Sequence, residues 1–395
     1  MKVMRVAYQF IVRSWRKTTN VIIRKPVQKS VNLYKWCVVE RRRNLASRKT
    51  LAIKYRPTTF DEVVEQNSTK IILQQQIETG TFKSAYLFTG SAGTGKTTCA
   101  RIFANEINKG GGNPIELDAA SQNGVDDVRN IIQQAKTKSI NSEYKIFILD
   151  EVHAFSNNAW QAMLKIIEEP PAKSIFIMCT TNPERIPKTI LSRVQRYDFQ
   201  RISQQGIVKR LQDILEKEGY EPQRTISDKS YFVDAIEYIA KLADGGCRDA
   251  ITLLDKCLAY SPELTVENVV KALGVIDYGP MFKLTDALLG YNNLSVKDAV
   301  VLIDKIYDSG KDLKLFVKQY ISFLIDCIKY SMKCSWLLIN IPKLDEYVEI
   351  LSDYQYDDYR MLRTWLERFV NLNAEIKWSQ NAKADIEAMI IVYGE

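Results

Sequence analysis

The 395-residue sequence has no run of about 18 apolar residues, so nothing in it reads as a membrane-spanning helix. Paired cysteines are lacking too. The seven cysteines, Cys37, Cys99, Cys179, Cys247, Cys257, Cys327 and Cys334, are scattered, and no two fall at C-x-x-C spacing. That argues against a disulfide framework and a zinc site, and it suits a reducing cytosol. No period of 20–50 residues repeats, so a repeat architecture is not expected. Acids are nearly absent from one stretch: residues 1–50 hold 14 of the 55 Lys+Arg and one of the 47 acids, Glu40. Residues 51–395 therefore carry 41 basic and 46 acidic side chains, and the overall +8 belongs to the N-terminal segment alone. Global basicity gives no reason to expect nucleic acid on the rest of the chain, where no basic stripe stands out.

What is present fits an ordinary globular chain with room for two or three cores: 46% hydrophobic and 26% charged residues. Residues 1–50 mix basic side chains with Tyr8, Phe10, Trp15, Tyr34 and Trp36. Three readings stay open for them. They suit an arm touching nucleic-acid phosphates, an organelle transit peptide, or a segment without function translated from upstream of the true start.

The texture changes at Leu51. Apolar runs at 85–88, 115–117, 145–149 and 174–179 read as buried strands, and 67–79, 96–108, 125–137 and 157–169 read as helices. That alternation predicts a parallel sheet covered on both faces. After Gln200 the strands stop, and helices are expected at 203–218, 228–242, 247–258, 265–273, 281–289, 296–308, 313–332 and 357–373. The class is α/β followed by all-α. Within the last part Phe316, Tyr320, Phe323, Leu324, Cys327 and Ile328 recur at helical spacing. An internal core stripe is the plainer reading, and packing against sister subunits the sharper one.

Two clusters carry chemistry. Gly90-Ser91-Ala92-Gly93-Thr94-Gly95-Lys96-Thr97, followed by Thr98, matches G-x-x-x-x-G-K-[ST] between an expected strand and an expected helix. In that context the loop cradles phosphates with backbone N–H groups and a helix N-terminus, Lys96 reaches the β- and γ-phosphates, and Thr97 holds Mg²⁺. A glycine-rich turn with a chance lysine would not need those flanks. The second cluster is the apolar run 146–149 ending in Asp150-Glu151. Acids at the C-terminal end of a buried strand face the crevice where α/β sheets bind ligands. Asp150 is expected to hold Mg²⁺ and Glu151 to orient and deprotonate the attacking water. His153, the single histidine, reads as packing or hydrogen-bonding at a helix start rather than as chemistry.

The residues around these clusters resemble the gamma/tau subunits of bacterial DNA polymerase III. The resemblance rests on Leu51-Ala52-Ile53-Lys54-Tyr55-Arg56-Pro57, Phe60, Val63-Val64 and Gln66. It continues through 85–88, Asp118-Ala119-Ala120-Ser121, Asp150-Glu151-Val152-His153, Leu164-Lys165 and Glu168-Glu169-Pro170-Pro171. Thr180-Thr181-Asn182-Pro183, Ile190-Leu191-Ser192-Arg193 and Arg248-Asp249-Ala250 complete it. Order and spacing agree across about 51–260, and the set taken together is far more specific than any one part. The resemblance implies an AAA+ P-loop ATPase. Its expected layout is a basic extension at 1–50, an ATPase domain at 51–200, a helical lid at 201–262 and a helical collar at 263–395.

It also implies roles. Tyr55, Arg56, Pro57 and Val64 would form the adenine pocket. Thr181 would be sensor 1, Arg193 the arginine finger reaching a neighbouring subunit's ATP, and Arg248 sensor 2. The plainer alternatives are a surface ion pair for Arg193 and a structural pair at a helix start for Arg248. Glu168-Glu169-Pro170-Pro171 is most simply a helix stop, to which a coupling role would be an addition. Three departures stand out. The family's four-cysteine zinc module is replaced by 108–113, so no zinc is expected. Glu65 stands where the family has glycine, and Val194 replaces the cysteine after the finger arginine. Because the chain stops near the collar's end, a gamma-like form is expected. The implied activity is cytoplasmic: an ATPase that uses ATP and Mg²⁺ to load a sliding clamp on primer–template DNA, with delta- and delta-prime-type subunits and sister copies as partners and no membrane. Two rivals remain from the sequence: an AAA+ DNA remodeller for branch migration or replication restart, and a non-enzymatic scaffold that binds ATP.

Overall fold

In the computed structural model, residues 49–139, 141–220, 229–274, 278–332 and 356–394 are described. Residues 1–48, with the three readings given to them, lie outside the described residues.

Five strands form one all-parallel sheet: β1 (Ala85–Gly90), β2 (Ile115–Asp118), β3 (Lys145–Asp150), β4 (Ser174–Thr180) and β5 (Gln195–Phe199). Their order is β2-β3-β4-β1-β5. The three central strands are continuous apolar runs because both faces are covered. Leu87, Phe147, Leu149, Phe176 and Met178 face one core, which α4 (Val125–Ala135) and α5 (Asn157–Glu168) close with Val128, Ile131, Trp160 and Met163. Tyr86, Phe88, Ile146, Ile148, Ile175 and Ile177 face the other. That side is closed by α2 (Asn67–Thr79) through Leu73 and by α3 (Lys96–Ile107) through Cys99, Ile102 and Phe103. Side chains alternate along each strand, so one apolar run feeds two cores.

The expected strands and helices agree with those observed to within a few residues at each end. Among the described residues, four strands or α-helices were not expected, two of them the single turns Leu51–Lys54 and Lys188–Leu191. β5 is an edge strand that buries only Tyr197 and Phe199 and exposes Arg196 and Asp198, so Gln195–Phe199 does not read as an apolar run. The terminal helix, Ala382–Tyr393, was also missed; Ile386 and Ile390 are buried, but Ile391, Val392 and Tyr393 are exposed, so apolar side chains are not confined to one face.

Beyond the sheet, every described regular element is helical: α7 (Gln204–Lys217), α8 (Lys229–Leu242), α9 (Cys247–Tyr260), α10 (Val266–Leu273), α11 (Tyr278–Leu289), α12 (Val296–Asp308), α13 (Leu313–Ser331), α14 (Tyr356–Glu375) and α15 (Ala382–Tyr393). One apolar cluster runs from Ile202 to Ile390, crosses residue 262 without a break, and takes in Leu51 from the short α1 (Leu51–Lys54). The stripe on α13 faces inward: Phe316, Tyr320 and Leu324 are fully buried, and Phe323, Cys327 and Ile328 nearly so. Tyr320 packs edge-on against Phe369 of α14, and its hydroxyl shares a buried hydrogen bond with Thr285 of α11 at 2.9 Å. The stripe is therefore core. Among the described residues no helix is long and apolar enough to cross a membrane.

Candidate functional site

Strand order builds the site. β1 delivers residues 90–97 at its C-terminal end, and β3 delivers Asp150 and Glu151 at its own. β4 lies between them in the sheet, so Thr181, which follows it, stands between the glycine-rich loop and the acid pair. Parallel pairing brings Thr89 level with Thr180, and Met178 level with both Leu87 and Leu149. All three groups thus meet at one sheet edge.

The loop has the backbone that phosphate binding requires. Gly90, Gly93 and Gly95 carry φ values of 144, 72 and 102°, and the buried Thr94 turns its hydroxyl back on the Ser91 carbonyl at 2.9 Å. Lys96 is buried and donates from Nζ to the carbonyls of Gly90 and Ser91, both at 2.8 Å. Burial lowers its pKa, against the opposing pull of Glu151, Cys179 and Asp150. Thr97 donates its hydroxyl to Asp150 Oδ2 at 2.8 Å, and Asp150 Oδ1 accepts the Glu151 N–H at 3.0 Å. Thr98 is half-buried on the first turn of α3.

Glu151 sits in the left-handed region at φ 49°. Its Oε2 accepts from the Thr181 hydroxyl at 3.0 Å and the Thr181 N–H at 3.3 Å. His153 Nδ1 lies 3.2 Å from the same oxygen and 3.2 Å from the Thr180 hydroxyl. The histidine thus braces the acid; its contact with Thr180 could not be read from the sequence because it depends on β3 and β4 lying side by side.

The helical part that follows β5 closes on the loop. The Cys247 N–H at the start of α9 donates to the Gly93 carbonyl at 3.0 Å. A Cβ on Gly93 would meet Gly246 Cα at 2.9 Å, so the two backbones touch because Gly93 has no side chain. Arg248, on the first turn of α9, is exposed. Arg56 is half-buried, and its pKa is lowered by burial first and then by the guanidinium groups of Arg101 and Arg248. Arg101 is itself ion-paired with Glu116.

Tyr55, Pro57 and Val64 are half-buried on the segment between α1 and α2. Tyr55 donates its hydroxyl to Glu218 at 2.6 Å, and its carbonyl accepts from Arg210 of α7 at 2.7 Å. Val63 Cγ1 lies 4.0 Å from where a Cβ on Gly95 would stand. The segment therefore runs between the glycine-rich loop and α7.

Glu65 has a φ of 54°, which accounts for a glycine at this place in the resembling sequences. Its carboxylate accepts the Ser203 N–H at 3.1 Å and the Ser203 hydroxyl, while Ser203 itself caps α7. Glu65→Ala keeps the unfavourable φ and loses both bonds, and is expected to destabilise by about 1–2 kcal/mol. Glu65→Gly relieves the backbone and should lose less. Denaturant midpoints of the two variants, compared with the parent chain, check the ranking.

Arg193 lies elsewhere. β5 starts level with Tyr86 and reaches the loop only where Phe199 pairs with Gly90. Arg193 precedes β5, so it sits about 13 Å or more down the sheet from its own phosphate loop. It is 39% exposed, with Nε 2.8 Å from Glu168 Oε1 and Nη1 donating to the Thr189 carbonyl at 2.8 Å and Ser192 Oγ at 3.1 Å. The structure unites Lys96, Thr97, Asp150, Glu151 and Thr181, draws Arg56 and Arg248 to the rim, and leaves Arg193 outside.

Comparison with known proteins fits this arrangement. DNA polymerase III subunit tau of Bacillus subtilis is 33% identical over 85% of this chain and 62% of its own length. DNA polymerase III subunit gamma/tau of Mycoplasma genitalium is 30% identical over 87% of this chain and 58% of its own. DNA polymerase III subunit gamma of Buchnera aphidicola is 28% identical over 86% of this chain and 97% of its own. The chain belongs to the DNA polymerase III gamma/tau family. It spans about three fifths of the Bacillus and Mycoplasma relatives. A family profile described as DNA polymerase III, delta subunit, also matches this gamma/tau-family chain at residues 113–203. Among solved structures, the RuvB Holliday junction branch migration motor of Thermotoga maritima aligns with 59% of this chain and 79% of its own. At 18% identity and a TM-score of 0.46, that likeness carries no argument.

The site also fits a nucleotide and its metal. Mg²⁺ is usually held by one or two carboxylates together with substrate phosphates, and Asp150 with Thr97 supplies that kind of donor set. Among the described residues no group of three or more His, Cys, Asp or Glu side chains is placed to hold a metal ion by itself.

Proposed function

We propose that this chain is an ATP-hydrolysing, gamma-type subunit of a DNA polymerase sliding-clamp loader. It would work in the cytoplasm with delta- and delta-prime-type subunits and sister copies, on a sliding clamp and primer–template DNA. One observation carries this reading: a gamma/tau-family chain holds a complete phosphate loop and acid pair at one sheet edge and an exposed arginine far down the sheet from them. In this reading residues 51–200 form the ATPase domain, 201–262 the lid and 263–395 the collar, with 1–50 as a basic extension.

The backbone of 90–97 and Lys96 hold the phosphates, and Tyr55, Arg56, Pro57 and Val64 enclose the base. Thr97 and Asp150 hold Mg²⁺, which supplies positive charge to the phosphate oxygens. Oε2 of Glu151 is engaged by Thr181, while Oε1, which has no hydrogen-bond partner among the described residues, is the oxygen that would meet the water. Glu151 takes a proton as the water oxygen attacks the γ-phosphorus. The bond to the bridging oxygen breaks, and its electron pair leaves with ADP. Thr181 orients the water, and Arg248 reaches the phosphates from the lid.

Arg193 is too far from its own loop to serve it, so it serves the neighbour's. Hydrolysis then depends on how the protomers are aligned, and DNA inside the ring would favour the aligned state. Steady-state ATP hydrolysis by the complex purified with its native partners tests this. Clamp plus primed DNA should raise the rate well above that of the complex alone. An unchanged rate in a complete assembly rules the loader out.

A further inference from the structure

Arg193 is held, and what holds it has no part in the function so far described. Glu168 is the last residue of α5. The helix must stop there, because Glu169 precedes Pro170 and takes φ −124°, ψ 70°. A carboxylate at this position faces the negative end of the helix dipole, the wrong end for an acid. The pair it makes with Arg193 is exposed on both sides, 39% and 41%, and pairs of that kind add little to stability. Neither helix design nor fold stability accounts for Glu168.

Geometry does. Glu168 Oε1 takes the Nε–H of Arg193 at 2.8 Å. On the other side, the Thr189 carbonyl and Ser192 Oγ take Nη1 at 2.8 and 3.1 Å. The end of α5, and α6 (Lys188–Leu191) with the Ser192 that caps it, thus clamp one planar group at two of its three nitrogens. Among the described residues Nη2 has no hydrogen-bond partner, which leaves it for an anion. A long side chain with several rotatable bonds is thereby set in position and plane before it meets a phosphate.

We propose that Glu168 is a positioning residue: it orients Arg193 so that Nη2 is presented to the nucleotide of an adjoining protomer. This rests on the reading of Arg193 given above. Removing Glu168 leaves the cation in place but returns its freedom of rotation, so turnover falls while nucleotide affinity does not.

The test uses the complex with its native partners, clamp and primed DNA, and compares Glu168→Ala, Glu168→Gln, Arg193→Ala and the double variant Glu168→Ala/Arg193→Ala. Glu168→Ala should lower kcat about tenfold with KM for ATP unchanged. Glu168→Gln keeps an oxygen for Nε and should fall between Glu168→Ala and the parent. The double variant should be no slower than Arg193→Ala alone, since Glu168 acts only through the arginine. The idea is overturned if Arg193→Ala is slow but Glu168→Ala stays within twofold of the parent or runs faster. It is equally overturned if Glu168→Ala costs the same factor with and without the arginine. If Arg193→Ala itself leaves kcat unchanged, the reading of Arg193 fails first, and the role of Glu168 goes with it.

Discussion

Arg193→Ala in the assembled complex is expected to lower kcat about 10³-fold or more while leaving ATP affinity within a few-fold of the parent. A guanidinium brought to the phosphoryl oxygens in trans is worth roughly 10³–10⁵ in related phosphoryl transfers, and 10³ corresponds to about 4 kcal/mol of transition-state stabilisation. Binding should be spared because the loop, Lys96, Thr97 and Asp150, proposed to hold the nucleotide, lie at the opposite end of the strands from Arg193. Fold stability is spared because the side chain is exposed and its ion pair with Glu168 lies at the surface. Steady-state kinetics with a fluorescent-nucleotide titration measures both quantities. A mixing experiment sharpens the result. Protomers carrying Arg193→Ala, combined with protomers carrying Lys96→Ala, should regain part of the activity, since some junctions then join an intact loop to an intact arginine. If the mixture stays dead while each variant assembles normally, the arginine does not act across a junction.

Glu151→Gln is expected to cut hydrolysis by about 10²–10⁴-fold while ATP still binds, the range found when a general base is removed. Glutamine keeps the size of the side chain and an oxygen for the Thr181 hydroxyl, so the local packing should persist. What is lost is the ability to take a proton. Lys96→Ala separates the two functions from the other side. Its buried ammonium now rests on the Gly90 and Ser91 carbonyls, and without it the loop should bind ATP poorly whatever the state of the acids. Calorimetric titration together with a phosphate-release assay distinguishes the two variants. Equal loss of binding in both would mean that Glu151 supports the pocket rather than the chemistry. Phosphate release at the parent rate in Glu151→Gln would mean that Glu151 is not the base, whereas clamp loading that survives the loss of hydrolysis would return the chain to a non-enzymatic scaffold.

The parts of this protein written in consecutive residues were legible without coordinates. The loop from Gly90 to Thr97, the acids closing β3, and the central strands all depend on neighbours in sequence or on a period of two or 3.6, and each appeared where expected. Elements whose burial is one-sided or unevenly spread were harder. β5 hides only Tyr197 and Phe199 behind charged neighbours, and Ala382–Tyr393 leaves Ile391, Val392 and Tyr393 exposed, so neither shows a clear pattern. Glu65 stood out as an acid in a glycine's place, but its φ of 54° and its hold on Ser203 came only with the backbone.

Strand order was decided by tertiary structure alone, because nothing local states that β4 lies between β1 and β3. That order puts Thr181 between the glycine-rich loop and the acids and brings His153 against Thr180. It likewise sends Arg193 down the sheet to Glu168. Local sequence fixes which groups exist and what chemistry they can do. Which of them meet is set by contacts between residues far apart in the chain, whose energies no short stretch contains.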